Sequence, residues 1–390
     1  MPLVALVGAA VAIAGLLFKN TCVSSSWGGT AFTYQNLCYS DIGPLYFLRG
    51  FADGLIPYFN SFEGQYLEYP VLTGITMWVA SFISHALSNS DSAAPFVYTN
   101  WAFNVILISS AVWVMSLIKS ANKNAAWWFA FSPALFLTLG INWDALAVLC
   151  AIFAIHMWQK DSALGTGIAI GLGTAAKLFP ALILIPIAID VIRKRNMRIG
   201  LETLVAATTT WLLVNAPFMV FAHEGWLEFY KFSSTRGIDF GSLWLGLNYV
   251  FSIDVSTHTA NLLGLIAVGI CALALYIFRN RIDFVTGVFV IIAVFTLFNK
   301  VYSPQFWIWL APIAALTAIR LKQFVVWNLV QTLYFYCIWR YLLFLTEPAL
   351  DGVVNSREYG LAILLNWIAT ATLIALAVRR SPSEQSILAG

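Results

Sequence analysis

The sequence predicts an all-α polytopic membrane protein, with one integral membrane domain over residues 1–390. Hydrophobic residues make up 60% of the chain and charged residues only 10%, whereas about 25% of a soluble domain is charged. The mean hydropathy is +0.81. Segments of roughly 17 to 22 apolar residues, long enough to cross a bilayer as helices, follow one another along the chain. The net charge of +3 is small and its basic residues lie in short clusters, so we expect no nucleic-acid partner.

The basic clusters predict the orientation of these segments. Residues 193–198 hold four basic side chains, and such clusters face the cytoplasm. Counting from this cluster predicts about twelve transmembrane helices with both termini inside. The first segment has no cleavage site after it and is read as a permanent anchor. The predicted spans are 2–18, 96–119, 125–139, 143–158, 163–176, 178–192, 200–221, 257–278, 283–299, 304–319, 323–345 and 359–378.

Residues 19–70 form a long polar stretch after the first apolar segment. Loops of this length are more often functional than passive, and the alternation of spans places this one outside. The segment Val71–Leu87 is short, follows Pro70 and ends in Ser84-His85. We therefore expect it to be a juxtamembrane or re-entrant helix inside a first extracytoplasmic loop over residues 19–97. In the alternative topology this segment crosses the bilayer. A second large extracytoplasmic loop is predicted over residues 222–242.

The five cysteines fall into two groups. Cys150, Cys271 and Cys337 lie in apolar segments and are interpreted as packing residues. Cys22 and Cys38 share the long loop, where an extracytoplasmic location permits a disulfide. The sequence leaves open whether they form one.

Ionisable residues gather at the predicted outer ends of the apolar segments. Such residues in or beside membrane segments are costly and suggest function. Their one-sided distribution favours a single outer site over a transport path, which would place charges near the midplane. The residues are Asp41, Glu68, Asp144, Lys177, Arg236, Asp239 and Lys300.

Most of these residues also have a structural interpretation. Asp41 could cap a helix that opens at residue 42 or 43. Glu68 could mark the helix start before Pro70. Asp144 could lie in the first turn of a helix, where a carboxylate interacts favourably with the helix dipole. Arg236 and Asp239 could form a solvated pair. Lys177 is harder to explain in this way, because apolar residues flank it, and its position predicts a buried anionic partner.

A few carboxylates with several cations suit group transfer from a lipid phosphate. One carboxylate takes the proton of an acceptor hydroxyl, while lysine or arginine side chains neutralise the departing phosphate. A single base suffices for an inverting displacement, by the logic of inverting glycoside hydrolysis. No zinc-ligand spacing or phosphate-binding glycine loop is found in the sequence, and we expect neither a metal nor a cofactor.

Several stretches, in order, carry a family resemblance. The chain resembles the actinobacterial integral-membrane glycosyltransferases of family 87, which have the GT-C fold and include polyprenol-phosphate-mannose-dependent mannosyltransferases. The stretches are Ser40-Asp41-Ile42, Glu68-Tyr69-Pro70-Val71, Asn142-Trp143-Asp144, Gly173-Thr174-Ala175-Ala176-Lys177-Leu178-Phe179-Pro180 and Asn299-Lys300-Val301-Tyr302-Ser303-Pro304-Gln305.

The resemblance implies roles for individual residues. Asp41 matches the catalytic base of the family, and Lys177 is expected near the donor phosphate. Relatives usually have Thr-Tyr-Pro-Pro where this chain has Glu68-Tyr69-Pro70-Val71, and Gly-Gln-Ile-Asn near residues 140–144. The chain thus resembles a separate branch of the family, whose sugar and acceptor do not carry over.

The resulting hypothesis is an inverting membrane hexosyltransferase at the outer face of the bacterial cytoplasmic membrane. Its donor would be a polyprenyl-phosphate sugar, with mannose expected, and its acceptor a glycolipid or glycan among the membrane lipids. The alternatives are a lipid-linked-saccharide flippase or secondary transporter, and a non-catalytic member of a cell-wall assembly complex. Asp41 is the expected base. The expected substrate-binding residues are Glu68, Tyr69, Asn142, Asp144, Lys177, Arg236, Asp239, Lys300, Ser303 and Gln305.

Overall fold

A computed structural model describes residues 2–25, 29–88 and 91–381, and its regular structure is helical. The prediction of an all-α protein is therefore confirmed. In the first third of the chain, short helices occur in pairs between long apolar helices. These helices are α1 (Leu3–Ser24), α2 (Thr30–Gln35), α3 (Ile42–Leu48), α4 (Val71–Leu87), α5 (Ala94–Met115), α6 (Ala125–Ala130) and α7 (Pro133–Thr138).

The remaining eleven helices of the described residues follow residue 144. A 3₁₀ segment, Phe179–Ile183, separates α9 from α10. The helices are α8 (Ala145–Gln159), α9 (Ala163–Ala176), α10 (Leu184–Lys194), α11 (Met197–Phe221), α12 (His223–Thr235), α13 (Leu243–Phe251), α14 (Thr257–Ile277), α15 (Phe284–Phe298), α16 (Phe306–Leu316), α17 (Leu321–Thr346) and α18 (Ser356–Arg380).

Six helices in the described residues are long and apolar enough to cross a membrane, namely α1, α5, α11, α14, α17 and α18. Five shorter apolar helices accompany them, among them α4, α8 and α9. Leucine side chains on α11 and α14 are largely exposed, such as Leu213 at 72% and Leu265 at 73%. Apolar surface of this extent marks contact with lipid. The chain is a multi-pass membrane protein, and the count of twelve crossings stays a prediction.

Two sequence-based boundaries were wrong. The first helix does not end near residue 18 but continues to Ser24, so Lys19 and Cys22 lie on its last turns. The predicted span over residues 125–139 is two short helices, α6 and α7. Pro133 lacks a backbone N–H group and restricts the residue before it, and the Ser132 hydroxyl accepts a hydrogen bond from the Ala134 N–H group. The helix therefore restarts at this point.

The second predicted loop is also more ordered than expected. Residues 222–242 contain α12, whose first turn carries Glu224, and α13 follows directly. Ser242 caps α13 by accepting a hydrogen bond from the Leu245 N–H group, 3.2 Å away. The polar residues of this segment form a helix, which the hydropathy pattern does not distinguish from a loop.

Close packing of α9 fixes the end of α9 next to the start of α8. Glycines on α9 face the backbone of α11: an added Cβ atom would lie 2.5 Å from the Thr203 carbonyl oxygen at Gly167, and 2.6 Å from the Ala207 carbonyl oxygen at Gly171. Small residues of this kind let membrane helices approach closely. Asp144 immediately precedes α8 and Lys177 immediately follows α9, so the packing brings these two residues together.

Candidate active site

The segment that carries Asp41 is docked on the turn before α8. The Asp41 N–H group donates to the carbonyl oxygen of Ile141 at 2.8 Å. The hydroxyl group of Ser40, which is buried, donates to the carbonyl oxygen of Gly140 at 2.7 Å. Two residues of the segment therefore have their positions fixed relative to Asp144.

The last turns of α1 hold the same segment from another side. Cys22 and Cys38 form a disulfide, which answers the question that the sequence left open. The Lys19 side chain is 1% exposed, and its Nζ atom donates to the carbonyl oxygen of Tyr39 at 3.2 Å. Gly140 leaves room for it, because a Cβ atom there would lie 2.8 Å from Lys19 Cδ.

The Asp41 carboxylate accepts hydrogen bonds from two tyrosines. The Tyr39 hydroxyl donates to Oδ1 at 2.7 Å, and the Tyr69 hydroxyl donates to Oδ2 at 3.2 Å. Asp41 stands at the N-cap position of α3, but its side chain makes no capping hydrogen bond. The capping interpretation is therefore wrong; the Ser40 hydroxyl instead accepts from the Ile42 N–H group.

The surroundings of Asp41 suit a base. Burial raises the pKa of this carboxyl, and it outweighs the two tyrosine hydrogen bonds and the charge of Lys177, which lower it. A carboxylate with a raised pKa is a stronger base at neutral pH. The residue is only half-buried, so an acceptor hydroxyl has access to it.

Lys177 has the buried anionic partner that the sequence predicted. Its Nζ atom lies 2.8 Å from Oδ1 of Asp144, whose side chain is 3% exposed, while the Lys177 side chain keeps 20% of its surface accessible. The indole Nε1 group of Trp309 donates to Oδ2 of Asp144 at 2.8 Å. The Asp144 N–H group donates to the side-chain oxygen of Asn142. Asp144 thus holds the lysine, and its carboxylate does not cap α8.

Tyr69 connects Asp41 with this ion pair. Its hydroxyl donates to Asp41, and its ring centre is 5.1 Å from Lys177 Nζ. Burial and then the negative charge of Asp41 raise the pKa of Tyr69 well above its usual value, so it stays a protonated donor. We call Asp41, Tyr69, Asp144, Lys177 and Trp309 the Asp41 cluster.

A second polar group joins the α12–α13 connection to the end of α15. The Arg236 guanidinium lies 2.6 Å from Oδ2 of Asp239. The Asp239 N–H group donates to the carbonyl oxygen of Lys300, and Lys300 Nζ donates to the Ser233 carbonyl oxygen at 2.8 Å. Burial, and then the charge of Arg236, lower the pKa of Lys300. Within the described residues, no hydrogen bond joins this group to the Asp41 cluster, but the charge of Arg236 reaches Tyr39, whose pKa it lowers slightly against larger opposing effects led by Asp41.

Three further predicted residues have local partners. Glu68 receives two hydrogen bonds from Arg49, at 2.6 and 2.8 Å. The Ser303 hydroxyl donates to the side-chain oxygen of Gln305. Glu68 is next to Tyr69 in sequence, but its hydrogen bonds go to Arg49 and it therefore lies outside the Asp41 cluster.

Sequence reasoning missed three contributors to this site. Trp309 is 165 residues from the carboxylate that it contacts, and no local pattern could connect them. Tyr39 lacked any signal apart from its position two residues before Asp41. Lys19 did carry a signal, because a lysine buried in a membrane helix suggests function, but the helix was expected to end before it.

The fold and the site together define a multi-pass membrane protein with a half-buried carboxylate close to a paired lysine at its helix ends. A family model, Glycosyltransferase family 87, matches residues 66–299, which is more than half of the chain. The chain therefore belongs to glycosyltransferase family 87 and is a glycosyltransferase. The resemblance to this family that was inferred from the motifs is confirmed. The matched part includes Tyr69, Asp144 and Lys177, and begins after Asp41.

Two other comparisons, with solved structures and with curated proteins, gave the following results. The crystal structure of ArnT from Cupriavidus metallidurans bound to undecaprenyl phosphate is similar with a TM-score of 0.42 and 10% sequence identity. The similarity covers 93% of this chain and 76% of ArnT. No match was found among curated proteins.

Proposed function

We propose that the protein transfers a hexose, with mannose the expected sugar, from a polyprenyl-phosphate donor to a glycolipid or glycan acceptor. The observation that carries this proposal is the position of Tyr69, which donates to Asp41 while its ring lies beside Lys177. One side chain thus contacts both the candidate base and the candidate phosphate ligand.

In the proposed reaction, the acceptor hydroxyl oxygen attacks C1 of the donor sugar and its proton passes to Asp41. The bond between C1 and the phosphate oxygen breaks, and the polyprenyl phosphate leaves with the electron pair. Lys177 offsets the negative charge on that phosphate. Attack opposite the leaving group inverts the configuration at C1, and no covalent enzyme intermediate forms.

The ion pair of Lys177 is compatible with this role. An ammonium group has three N–H donors, and Asp144 engages one side of it, while part of the side chain stays accessible. Arg236 and Lys300 would attract the phosphate from the second polar group. We propose that Glu68, Asn142, Asp239, Ser303 and Gln305 contribute contacts to sugar or acceptor hydroxyls, with Asn142 also positioning Asp144.

The direction of the helices supports a site on the outer face. Asp144 and Lys177 stand where α8 begins and α9 ends, while Lys160, Arg193 and Arg379 stand at the opposite ends of α8, α10 and α18. Because clusters of basic residues favour the cytoplasm, the Asp41 cluster faces outward in the proposed topology of the cytoplasmic membrane.

A donor panel tests this function. Membranes that contain the wild-type protein, and matched membranes without it, are incubated with labelled polyprenyl-phosphate mannose, other polyprenyl-phosphate hexoses and nucleotide sugars. We expect a new labelled glycoconjugate with one of the polyprenyl-phosphate donors and none with nucleotide sugars. Transfer from nucleotide sugars alone would contradict the proposal.

A further inference from the structure

Three aromatic side chains stack beside Asp41. The ring centres of Tyr39 and Trp339 are 4.9 Å apart, those of Tyr34 and Tyr39 are 6.0 Å apart, and those of Tyr34 and Trp339 are 6.1 Å apart. The angles between the ring planes are 29°, 28° and 12°. The three rings are thus stacked with moderate tilts between them, and we call them the aromatic platform.

The two tyrosines are accessible and the tryptophan supports them. Tyr34 and Tyr39 are half-buried, whereas Trp339 is 3% exposed and packs edge-on against Phe335 of the same helix, α17. The disulfide and Lys19 fix the chain on either side of Tyr39. The platform is therefore a compact group of stacked rings, held in place by the disulfide and Lys19, in which both tyrosines keep part of their surface accessible.

The hydroxyl group of Tyr34 has no hydrogen-bonding role within the described part of the fold. Its hydroxyl makes no hydrogen bond to any other residue that the structure describes, unlike the hydroxyl of Tyr39, which donates to Asp41. Burial and then the negative charge of Asp41 raise the pKa of Tyr34, so this hydroxyl lies within the electrostatic field of the base. A tyrosine that served only for packing would not need its hydroxyl there.

The aromatic platform and Lys177 lie on the sides of two different carboxylate oxygens of Asp41. Oδ1 of Asp41 faces Tyr39 and the platform, and Oδ2 faces Tyr69, with Lys177 over the Tyr69 ring. A phosphate attracted to Lys177 would therefore be on the Oδ2 side. The group that gives its proton to Asp41 would then come from the Oδ1 side.

We infer that the aromatic platform is a subsite for a pyranose ring of the acceptor, so that the acceptor is a saccharide rather than a simple lipid alcohol. This inference rests on the proposed function. The C–H face of a pyranose packs on flat aromatic surface, and its hydroxyl groups project from the rim, where the Tyr34 hydroxyl and Asp41 meet them. The acyl chains of a phospholipid present no such face.

A binding experiment tests the inference without requiring transfer. The wild-type protein in lipid nanodiscs is mixed with octyl α-D-mannopyranoside as the probe, and saturation transfer to its pyranose protons is measured by NMR, with empty nanodiscs as the blank. The variants are Tyr34→Ala, Tyr34→Leu and Tyr34→Phe. Tyr66→Ala is the matched control, since Tyr66 is also half-buried and lies in the same loop.

We expect the Ala and Leu changes at Tyr34 to weaken the signal by about three- to tenfold, the range expected for one lost aromatic contact. Tyr34→Phe keeps the ring and should retain most of the signal, as should Tyr66→Ala. Equal signals from wild type and from folded Tyr34→Leu protein would overturn the inference. A loss as large in Tyr66→Ala would overturn it as well.

A competition arm separates the acceptor from the donor. A short-chain prenyl-phosphate mannose is added to the sample with the probe. Simultaneous binding of both ligands supports an acceptor subsite, whereas displacement of the probe would overturn that assignment in favour of the donor sugar. If probe binding depends on Tyr34 but no polyprenyl-phosphate donor supports transfer, the proposed function fails while the subsite stands.

Discussion

The hydroxyl group of Tyr69 lies 3.2 Å from Oδ2 of Asp41. The same ring is 5.1 Å from Lys177 Nζ and packs edge-on against Trp143. Tyr69 thus contacts both Asp41, the proposed base, and Lys177. A change of this one hydroxyl should affect the protonation of Asp41 more than it affects the fold.

The first prediction concerns the pH dependence of transfer. The active form of Asp41 is ionised, and burial raises its pKa, so the rate should fall as the pH drops through a value above the ordinary carboxyl range. The Tyr69→Phe change removes a hydrogen bond that favours the ionised form. The acid limb of the kcat profile should therefore move to higher pH.

The control for this profile is Tyr66→Phe. The Tyr66 hydroxyl lies 3.4 Å from Glu224 and does not contact Asp41, so its loss should leave the limb in place. A Tyr69→Phe limb that coincides with the wild-type limb, or lies at lower pH, would contradict the assignment of Asp41 as the titrating base.

The second prediction separates stability from activity at the Asp144–Lys177 pair. Asp144→Ala leaves a lysine without its partner in a largely buried site and should lower the free energy of unfolding by about 3–5 kcal/mol. The double change Asp144→Asn with Lys177→Met removes both charges and should recover much of this loss. Transfer by the double variant should be strongly reduced, because the phosphate has lost the charge of Lys177.

Reversible unfolding in detergent measures this effect, and the exposed pair Arg198–Glu202 provides the comparison. Their side chains are 88% and 49% exposed, so Glu202→Gln should leave the unfolding midpoint unchanged. Full transfer activity in the double variant would refute the role of Lys177 in phosphate binding.

The third prediction concerns the disulfide between Cys22 and Cys38. The bond closes a loop with a sequence separation of 16 residues, for which chain entropy predicts about 3 kcal/mol of stabilisation. Reduction should lower the unfolding midpoint and also slow transfer, since the bond anchors the segment before Asp41. The free cysteines are buried and provide no alternative target. A protein with both residues changed to Ser should not respond to reductant, and an unchanged rate in fully reduced wild type would disprove the anchoring role.

The fourth prediction distinguishes Glu68 from the base. Both Glu68 oxygens accept hydrogen bonds from Arg49. Glu68→Gln therefore weakens this contact within the first loop and leaves Asp41, the proposed proton acceptor, unchanged. We expect it to reduce kcat by no more than about tenfold, the equivalent of one hydrogen bond. A loss as large as that of Asp41→Asn would contradict the supporting role of Glu68.

Much of the helical framework follows from the sequence, because long apolar runs and proline positions act locally. The bounds of Val71–Leu87 and of α9 agree with the apolar segments. The buried partner of Lys177 was also predictable in kind, since a lysine among apolar residues needs an anion.

What the sequence could not provide is the set of contacts between distant segments. Asp144 was recognised as one of several carboxylates, but only the packing of α8 with α9 identifies it as the partner of Lys177. The stacking of Trp339 on Tyr39 joins residues 300 positions apart. The last turns of α1 were predicted as a loop because polar residues begin there. Polar residues mark where a helix reaches the membrane surface, but the helix can continue beyond that point.

The most direct measurement is the rate of sugar transfer by Asp41→Asn, compared with wild type at equal amounts of inserted protein and with the donor that the panel identifies. Asn keeps the shape of the side chain but cannot take the acceptor proton. The account predicts a fall in kcat of about 10²- to 10⁴-fold, the usual contribution of a general base. A variant with wild-type kcat would contradict the central claim that Asp41 is the catalytic base.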